Sequence, residues 1–194
     1  MIRKLYDWVM ELAAHRHAAS ALFAVAFVES SFFPIPPHAM LVPMVLANRS
    51  RAWHFAAIAT VGSVLGGIFG YFIGASVLYE LIMKPLFELY GYSDKFDAFS
   101  ASYKAYGGWI VFGAGVTPFP YKVITIASGI VGMNFMLFVA ASVLSRGLTF
   151  FAIATLLYFF GRPIKAFIER RLGLVATVFM VLLVGGFVAI KYLI

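Results

Sequence analysis

Residues 29–38 read ESSFFPIPPH and lie at the centre of an apolar segment, residues 18–47. The segment is long enough to cross a membrane as one helix, but its centre contains Pro34, Pro36 and Pro37. Each proline removes a helical hydrogen bond and disfavours helix at the preceding residue. The segment is therefore predicted to form two short helical arms joined at a proline-rich tip, a broken hairpin that enters and leaves the membrane on the same face.

A second apolar segment, residues 109–133, has the same design. Its centre reads TPFPYK, residues 117–122, with Pro118 and Pro120 in place of the first cluster. Non-helical backbone at membrane depth persists only where protein buries it or where it lines a wet cavity. The two tips are therefore predicted to lie together at a functional site.

The composition places the chain in a membrane. Hydrophobic residues make up 63% of the 194 residues, charged residues only 12%, and the mean hydropathy is +0.95. Ordinary soluble domains carry about 25% charged residues. The net charge of +7 comes mostly from basic residues beside apolar segments, which suits anionic lipid headgroups rather than nucleic acid. Cysteine is absent, which excludes disulfides, thiolate metal sites and cysteine nucleophiles.

Three further segments are predicted to span the membrane as continuous helices: residues 53–79, 134–160 and 172–190. The first of these has a glycine at every fourth position. The repeated residues are Gly62, Gly66, Gly70 and Gly74. Small residues at this spacing let another helix approach closely. We predict packing against a hairpin arm, the alternative being chance glycine in a glycine-rich helix.

Two amphipathic stretches, residues 2–15 and 93–107, are predicted to be interfacial helices. The predicted order is interfacial helix, broken hairpin and spanning helix, then the same three again, then a final helix. This is an all-α integral membrane fold with two inverted halves, and internal repeats with broken helices are typical of transporters. The chain is predicted to form a single membrane domain, 1–194, divided into 18–79, 108–160 and 172–194.

The distribution of positive charge predicts the topology. If both hairpins return to their starting side, the main basic clusters share one face, which should be cytoplasmic together with the N-terminus. The clusters are Arg3, Lys4 and Arg16; Arg49 and Arg51; and Arg162, Lys165, Arg170 and Arg171. Hairpins that fully span would also keep these clusters together, so charge alone leaves both topologies open.

Four ionisable side chains lie inside the apolar stretches, namely Glu29, His38, Lys122 and Arg146. A charge at the bilayer centre costs a few kcal/mol, so we expect Glu29 to pair with Lys122 or Arg146. A static salt bridge is one interpretation. The other makes Glu29 and His38 switchable charges and makes Lys122 and Arg146 ligands of a phosphate headgroup. For His38 a plain hydrogen bond to a freed carbonyl at the tip is the equal alternative.

Motifs of other functional classes are missing from the sequence. The four histidines have no metal-ligand spacing, and there is no nucleophile elbow, P-loop or dinucleotide-binding glycine motif. We therefore expect no metal, no cofactor and no enzymatic activity.

The combined pattern resembles the DedA family, also called the SNARE-associated Golgi protein or VTT-domain family. The resemblance rests on Glu29 before the first proline tip, the glycine-rich run 62–71, the tip 117–122 and Arg146. It covers roughly residues 18–171 and looks closest to the YqaA-like branch.

This resemblance implies paired re-entrant hairpins, a bacterial inner-membrane location, and translocation of undecaprenyl phosphate or phospholipids, in some members coupled to protons. Glu29 matches the family's acidic residue of the first hairpin, and His38 replaces a second acid. Gly115 stands where one family arginine is expected, and Lys122 is the basic residue nearest to the other.

The function expected from these observations is translocation or scrambling of a phosphate-bearing lipid, in support of envelope homeostasis. The partners would be membrane lipids, anionic or phosphate-bearing, with assembly into a homo-oligomer left open. Two alternatives are a proton- or ion-coupled transporter of a small solute and a membrane scaffold that transports nothing.

Overall fold

The computed structural model describes residues 17–31, 36–85, 93–117 and 119–170. All regular elements within these ranges are helical, which confirms the predicted class. The α-helices are α1 (Ala18–Ser31), α2 (His38–Ala47), α3 (Ala52–Phe72), α4 (Ser93–Val116), α5 (Tyr121–Ile130) and α6 (Phe135–Arg170). A 3-10 turn, Arg49–Arg51, precedes α3, and a π-helix, Ile73–Met83, continues it. The predicted helices at 2–15 and 172–190 lie outside the described residues.

Two helical stretches are long and apolar enough to cross a membrane. They are Arg49–Ser76, with 28 residues, and Phe135–Gly161, with 27 residues. At about 1.5 Å per residue each is roughly 40 Å long, more than the hydrocarbon thickness of about 30 Å. They correspond to the spanning helices predicted at 53–79 and 134–160.

Both proline clusters interrupt the helices. The first apolar segment divides into α1 and α2, and the second divides into the end of α4 and α5. Pro37 directly precedes α2 and Pro120 directly precedes α5. Proline is favourable at a helix start, because the N–H that it lacks has no helical partner there. Pro37 and Pro120 therefore mark the start of the second helix in each broken segment.

The four arms pack on the long helices in a crossed arrangement. In each half the first arm packs on its own long helix, α1 on α3 and α4 on α6. The second arm packs on the long helix of the other half, α2 on α6 and α5 on α3. The two arms of the first broken segment, α1 and α2, scarcely contact each other. Each break is therefore placed between α3 and α6, which contact one another directly.

The glycines of α3 carry much of this packing. A Cβ at Gly62 would lie 2.6 Å from the carbonyl oxygen of Phe23, and one at Gly66 would overlap the Phe27 carbonyl, both on α1. Further along, the same helix face meets α5. A Cβ at Gly70 would lie 2.6 Å from Thr125 Oγ1. The missing side chains let one helix face receive an arm from each broken segment.

Two predicted helix ends are wrong. The amphipathic stretch 93–107 was expected to end at Gly107, but α4 continues through it to Val116. A Cβ at Gly107 would lie 2.9 Å from Met133 Sδ, so this glycine serves close packing. Packing outweighs the helix propensity of glycine, which is only about 1 kcal/mol below that of alanine.

The second wrong end lies in α6, which was predicted to stop at Phe160. It continues to Arg170 with Pro163 inside the helix. Proline costs a helical hydrogen bond but has a φ angle that the helix tolerates. At Gly161 an added Cβ would lie 2.9 Å from Arg49 Nε, so the glycine makes room for that side chain.

Candidate functional site

An ion pair joins the two halves of the molecule. Arg146, on the buried face of α6, donates through Nη2 to Oε2 of Glu29 in the last turn of α1, at 2.8 Å. The Arg146 side chain is 5% exposed and the Glu29 side chain 15%. Of the two basic partners considered for Glu29, the structure thus places Arg146 in contact with it. The arginine is the buried partner, and the carboxylate is the more accessible one.

Two buried serine hydroxyls complete the cluster around this pair. Arg146 Nε donates to Ser63 Oγ at 2.6 Å, and Ser30 Oγ donates to Glu29 Oε2 at 3.1 Å. The two hydroxyl oxygens are 2.6 Å apart. Sequence reasoning missed both residues, since Ser63 lies in the glycine run and reads as a small packing residue. Ser63 could have been predicted from one feature: it is a hydroxyl on the face of α3 that packs against α1.

Aromatic rings hold the guanidinium of Arg146. Its Cζ lies 4.9 Å from the centroid of the Tyr121 ring and 4.7 Å from that of Phe150. Cation–π contacts of this kind stabilise a desolvated guanidinium by about 2 kcal/mol. The Tyr121 hydroxyl donates to Ser142 Oγ at 2.5 Å, which fixes the ring. Tyr121 and Phe150 were also missed, because aromatic residues are abundant throughout this sequence.

His38 lies near the cluster without joining its hydrogen bonds. It is the first residue of α2, and its ring centroid is 5.2 Å from that of Phe150. In the part of the chain that the structure describes, His38 makes no hydrogen bond to Glu29. Among the described residues, the Phe150 ring connects His38 to the cluster, because it also contacts Arg146.

Lys122 is apart from the ion pair. It lies half-buried in the first turn of α5, and its side chain forms no ion pair with any described residue. Thr125, one turn further, donates through Oγ1 to the Lys122 carbonyl at 2.9 Å and to the Ser30 carbonyl at 3.0 Å. The two tips are thus joined by a neutral hydroxyl, which satisfies the Ser30 carbonyl in the last turn of α1, where the helix supplies no N–H donor.

The position of the expected family arginine is closed. Gly115 is buried near the end of α4, and a Cβ there would overlap the side chain of Ser145 on α6. The glycine carbonyl accepts a hydrogen bond from Thr149 Oγ1 at 3.1 Å. A long basic side chain would not fit at this place without moving α4 away from α6.

The remaining predictions concern the prolines of the two tips and the absence of a metal site. Pro37 is fully buried, while Pro36 and Pro120 are half-buried. Pro34 and Pro118 lie outside the described residues. Within the described ranges no three His, Asp or Glu side chains gather as a metal site would require.

The arrangement of helices and charges defines a class of protein. Broken apolar helices pack crosswise on two potential spanning helices, and a charged pair is enclosed where they meet, as in polytopic membrane proteins with an internal site. Residues 33–159 match the VTT domain. The chain therefore belongs to the VTT-domain family, the DedA or SNARE-associated family, and is a membrane protein of the DedA type.

Two relatives align with this chain over nearly its whole length and nearly their own. A protein of Haemophilus influenzae is 34% identical over 189 residues, covering 96% of each chain. A protein of Histophilus somni is 32% identical over 187 residues, covering 96% of this chain and 97% of the relative. Both relatives are described only as uncharacterized. No solved structure matches the chain significantly.

Proposed function

We propose that this protein translocates or scrambles a phosphate-bearing lipid, a phospholipid or undecaprenyl phosphate, across the bacterial inner membrane in support of envelope homeostasis. One observation carries the proposal: an almost fully buried arginine is paired with a more accessible glutamate where the two broken segments meet. The activity involves no covalent step, so the protein is not an enzyme in this proposal.

The energetics of the ion pair favour a functional site over a purely structural one. Removing two charges from water costs several kcal/mol per ion, and well-packed apolar residues of similar volume often stabilise a fold at least as well. A guanidinium, by contrast, is the side chain best suited to bind a phosphate through parallel hydrogen bonds. Arg146 is therefore proposed to bind the lipid headgroup.

Glu29 is proposed to compete with the lipid for this arginine. Its Oε2 accepts from Arg146 and Ser30, whereas Oε1 has no hydrogen-bond partner among the described residues. When Glu29 takes up a proton, its attraction for the guanidinium falls and a phosphate oxygen can replace it. When the phosphate leaves, the ionised glutamate pairs again, so lipid release and proton release are coupled.

The proposed path requires re-entrant hairpins with the N-terminus in the cytoplasm. Ala18 is buried, but His17 beside it and Ser50 beyond α2 are both exposed. Single cysteines at positions 17 and 50 should therefore react with an impermeant thiol reagent from the same side of the membrane. Labelling from opposite sides would mean that the first segment crosses the bilayer.

The direct test is reconstitution into liposomes with a fluorescent phosphatidylglycerol and a quencher confined to the outer leaflet. The wild type should bring inner-leaflet lipid to the quencher faster than protein-free liposomes do, and Arg146→Ala should not. Arg51→Ala is the matched control, because Arg51 is an exposed arginine.

The same liposomes distinguish the two alternative functions. Movement of an entrapped small solute, with no lipid movement, would favour the solute transporter. If the folded protein moved neither lipid nor solute, the scaffold interpretation would replace the proposal.

A further inference from the structure

The four polar side chains of the site form a closed hydrogen-bonded ring. Arg146 contacts Glu29 through Nη2 and Ser63 through Nε, and the two serines connect the remaining sides. The residues come from three separate helices, α1, α3 and α6. A ring of this kind holds the arginine from two directions, which a simple ion pair does not.

The direction of each hydrogen bond in the ring follows from the number of hydrogens. A serine hydroxyl has one hydrogen to donate. Ser30 donates its hydrogen to the Glu29 carboxylate, so the Ser63 hydroxyl must donate to Ser30. Ser63 in turn accepts from Arg146 Nε. The chain of donors therefore runs from Arg146 through Ser63 and Ser30 to a single oxygen, Glu29 Oε2.

Two donors therefore converge on the position of that oxygen. Arg146 Nη2 lies 2.8 Å from it and Ser30 Oγ lies 3.1 Å from it. Both serines are fully buried, so their hydroxyls are not accessible to solvent. Converging charged and neutral donors in a dry setting bind an oxyanion more strongly than the arginine alone.

We propose that Ser30 and Ser63, together with Arg146, form a preformed site for one phosphate oxygen of the lipid headgroup. Glu29 Oε2 stands in for that oxygen in the resting protein. The inference rests on the proposed function and names the neutral residues of the same site. Ser30 is a ligand of the phosphate, and Ser63 is a positioning residue that acts through Arg146 and Ser30.

The ring also assigns different tasks to the two edges of the guanidinium. The Nε edge is fixed by Ser63, which belongs to the long helix α3, and the Tyr121 and Phe150 rings lie against the guanidinium. The Nη2 edge faces Glu29, the more accessible partner. Exchange of carboxylate for phosphate can therefore occur at Nη2 while the arginine keeps its place.

The test measures binding of fluorescent phosphatidylglycerol to the purified full-length chain in detergent, with fluorescent diacylglycerol as the phosphate-free probe. Ser63→Ala should weaken phosphatidylglycerol binding about tenfold, the size expected for losing a hydrogen bond to a charged group, and leave diacylglycerol binding unchanged. Ser100→Ala is the matched control, because Ser100 is also buried but its hydroxyl lacks a hydrogen-bond partner among the described residues.

A second experiment, in the Glu29→Gln variant, tests whether Ser63 positions Arg146 for the phosphate or only supports the ion pair. In Glu29→Gln protein the ion pair is already gone. If Ser63 served only that pair, adding Ser63→Ala would not change phosphatidylglycerol affinity. The proposal expects a further loss of about tenfold there. Should Ser63→Ala fail to fold, Ser30→Ala decides, since it removes one converging donor and keeps the contact between Ser63 and Arg146.

The outcomes separate this inference from the proposed function. If the wild type neither binds nor moves phosphatidylglycerol, the proposed function fails. If the wild type does both and neither serine variant weakens binding, only the serine site is wrong. Competition by inorganic phosphate as effective as that by the lipid would overturn the assignment to a lipid headgroup.

Discussion

The two broken segments share a packing plan but differ in chemistry. In each half the first arm packs on its own long helix and the second arm crosses to the other. The first tip carries Glu29, which pairs with Arg146, and the buried Ser30, which donates to Glu29. The second tip supplies the Tyr121 ring and the neutral Thr125 hydroxyl, while Lys122 forms no ion pair with the described residues.

This difference shows that a repeated architecture does not require a repeated site. The crossed packing brings both tips to the same place between α3 and α6, so the two halves can contribute different groups to one site. The first half contributes the exchangeable anion, and the second half contributes the cation on α6 and both rings against it. Five substitutions, grouped in four experiments, test this comparison in order of decreasing expected effect.

Arg146→Ala should have the largest effect. It removes the headgroup ligand and leaves Glu29 without its counter-charge, so transport should fall by about a hundredfold and stability by about 3 kcal/mol. Lipid transport in liposomes and the thermal midpoint in detergent measure the two losses. Retained transport in folded Arg146→Ala would show that binding of the headgroup does not depend on this arginine.

Gly66→Ala and Gly129→Ala compare the packing of the two halves. An added Cβ at Gly66 would overlap the Phe27 carbonyl, and one at Gly129 would overlap the Tyr71 carbonyl. Each substitution should destabilise the fold by about 1–3 kcal/mol. The control is Gly113→Ala, since nothing lies within 4 Å of a Cβ there, and its thermal midpoint should be unchanged or raised. Sensitivity in one half alone would contradict the shared packing plan.

Glu29→Gln should flatten the pH dependence of transport and leave the folded protein active. The amide can still accept a hydrogen bond but cannot change charge, so the rate should vary by less than about twofold between about pH 5 and 8. Rates in liposomes are compared with the wild type and with Asp97→Asn, an exposed control. A wild-type profile in Glu29→Gln would move the switch to His38.

Lys122→Gln should have the smallest effect. The lysine is partly exposed and makes no described ion pair, so its loss should reduce transport by less than about threefold, a change typical of solvated charges. Lys104→Gln, on the exposed face of α4, is the matched control. Loss of transport comparable to that of Arg146→Ala would show that the second tip also supplies an essential charge. The proposed chemical difference between the two tips would then be wrong.

The sequence by itself determined the helical membrane class, the two proline breaks and the family. These features depend on local physics: proline chemistry acts on its own backbone, and apolar length sets what can span a bilayer. It also marked Glu29 and Arg146, because an ionisable side chain in an apolar segment stands out whatever the fold.

Only the tertiary structure decided which charges meet and what surrounds them. Glu29 and Arg146 are joined because α1 and α6 both pack on α3, a relation between residues far apart in the chain. Ser30, Ser63 and the Tyr121 ring belong to the site for the same reason, and nothing in their local sequence distinguishes them from packing residues. The continuation of α4 through Gly107 and of α6 through Gly161 was also decided by distant contacts, because packing energy outweighs a propensity difference of about 1 kcal/mol.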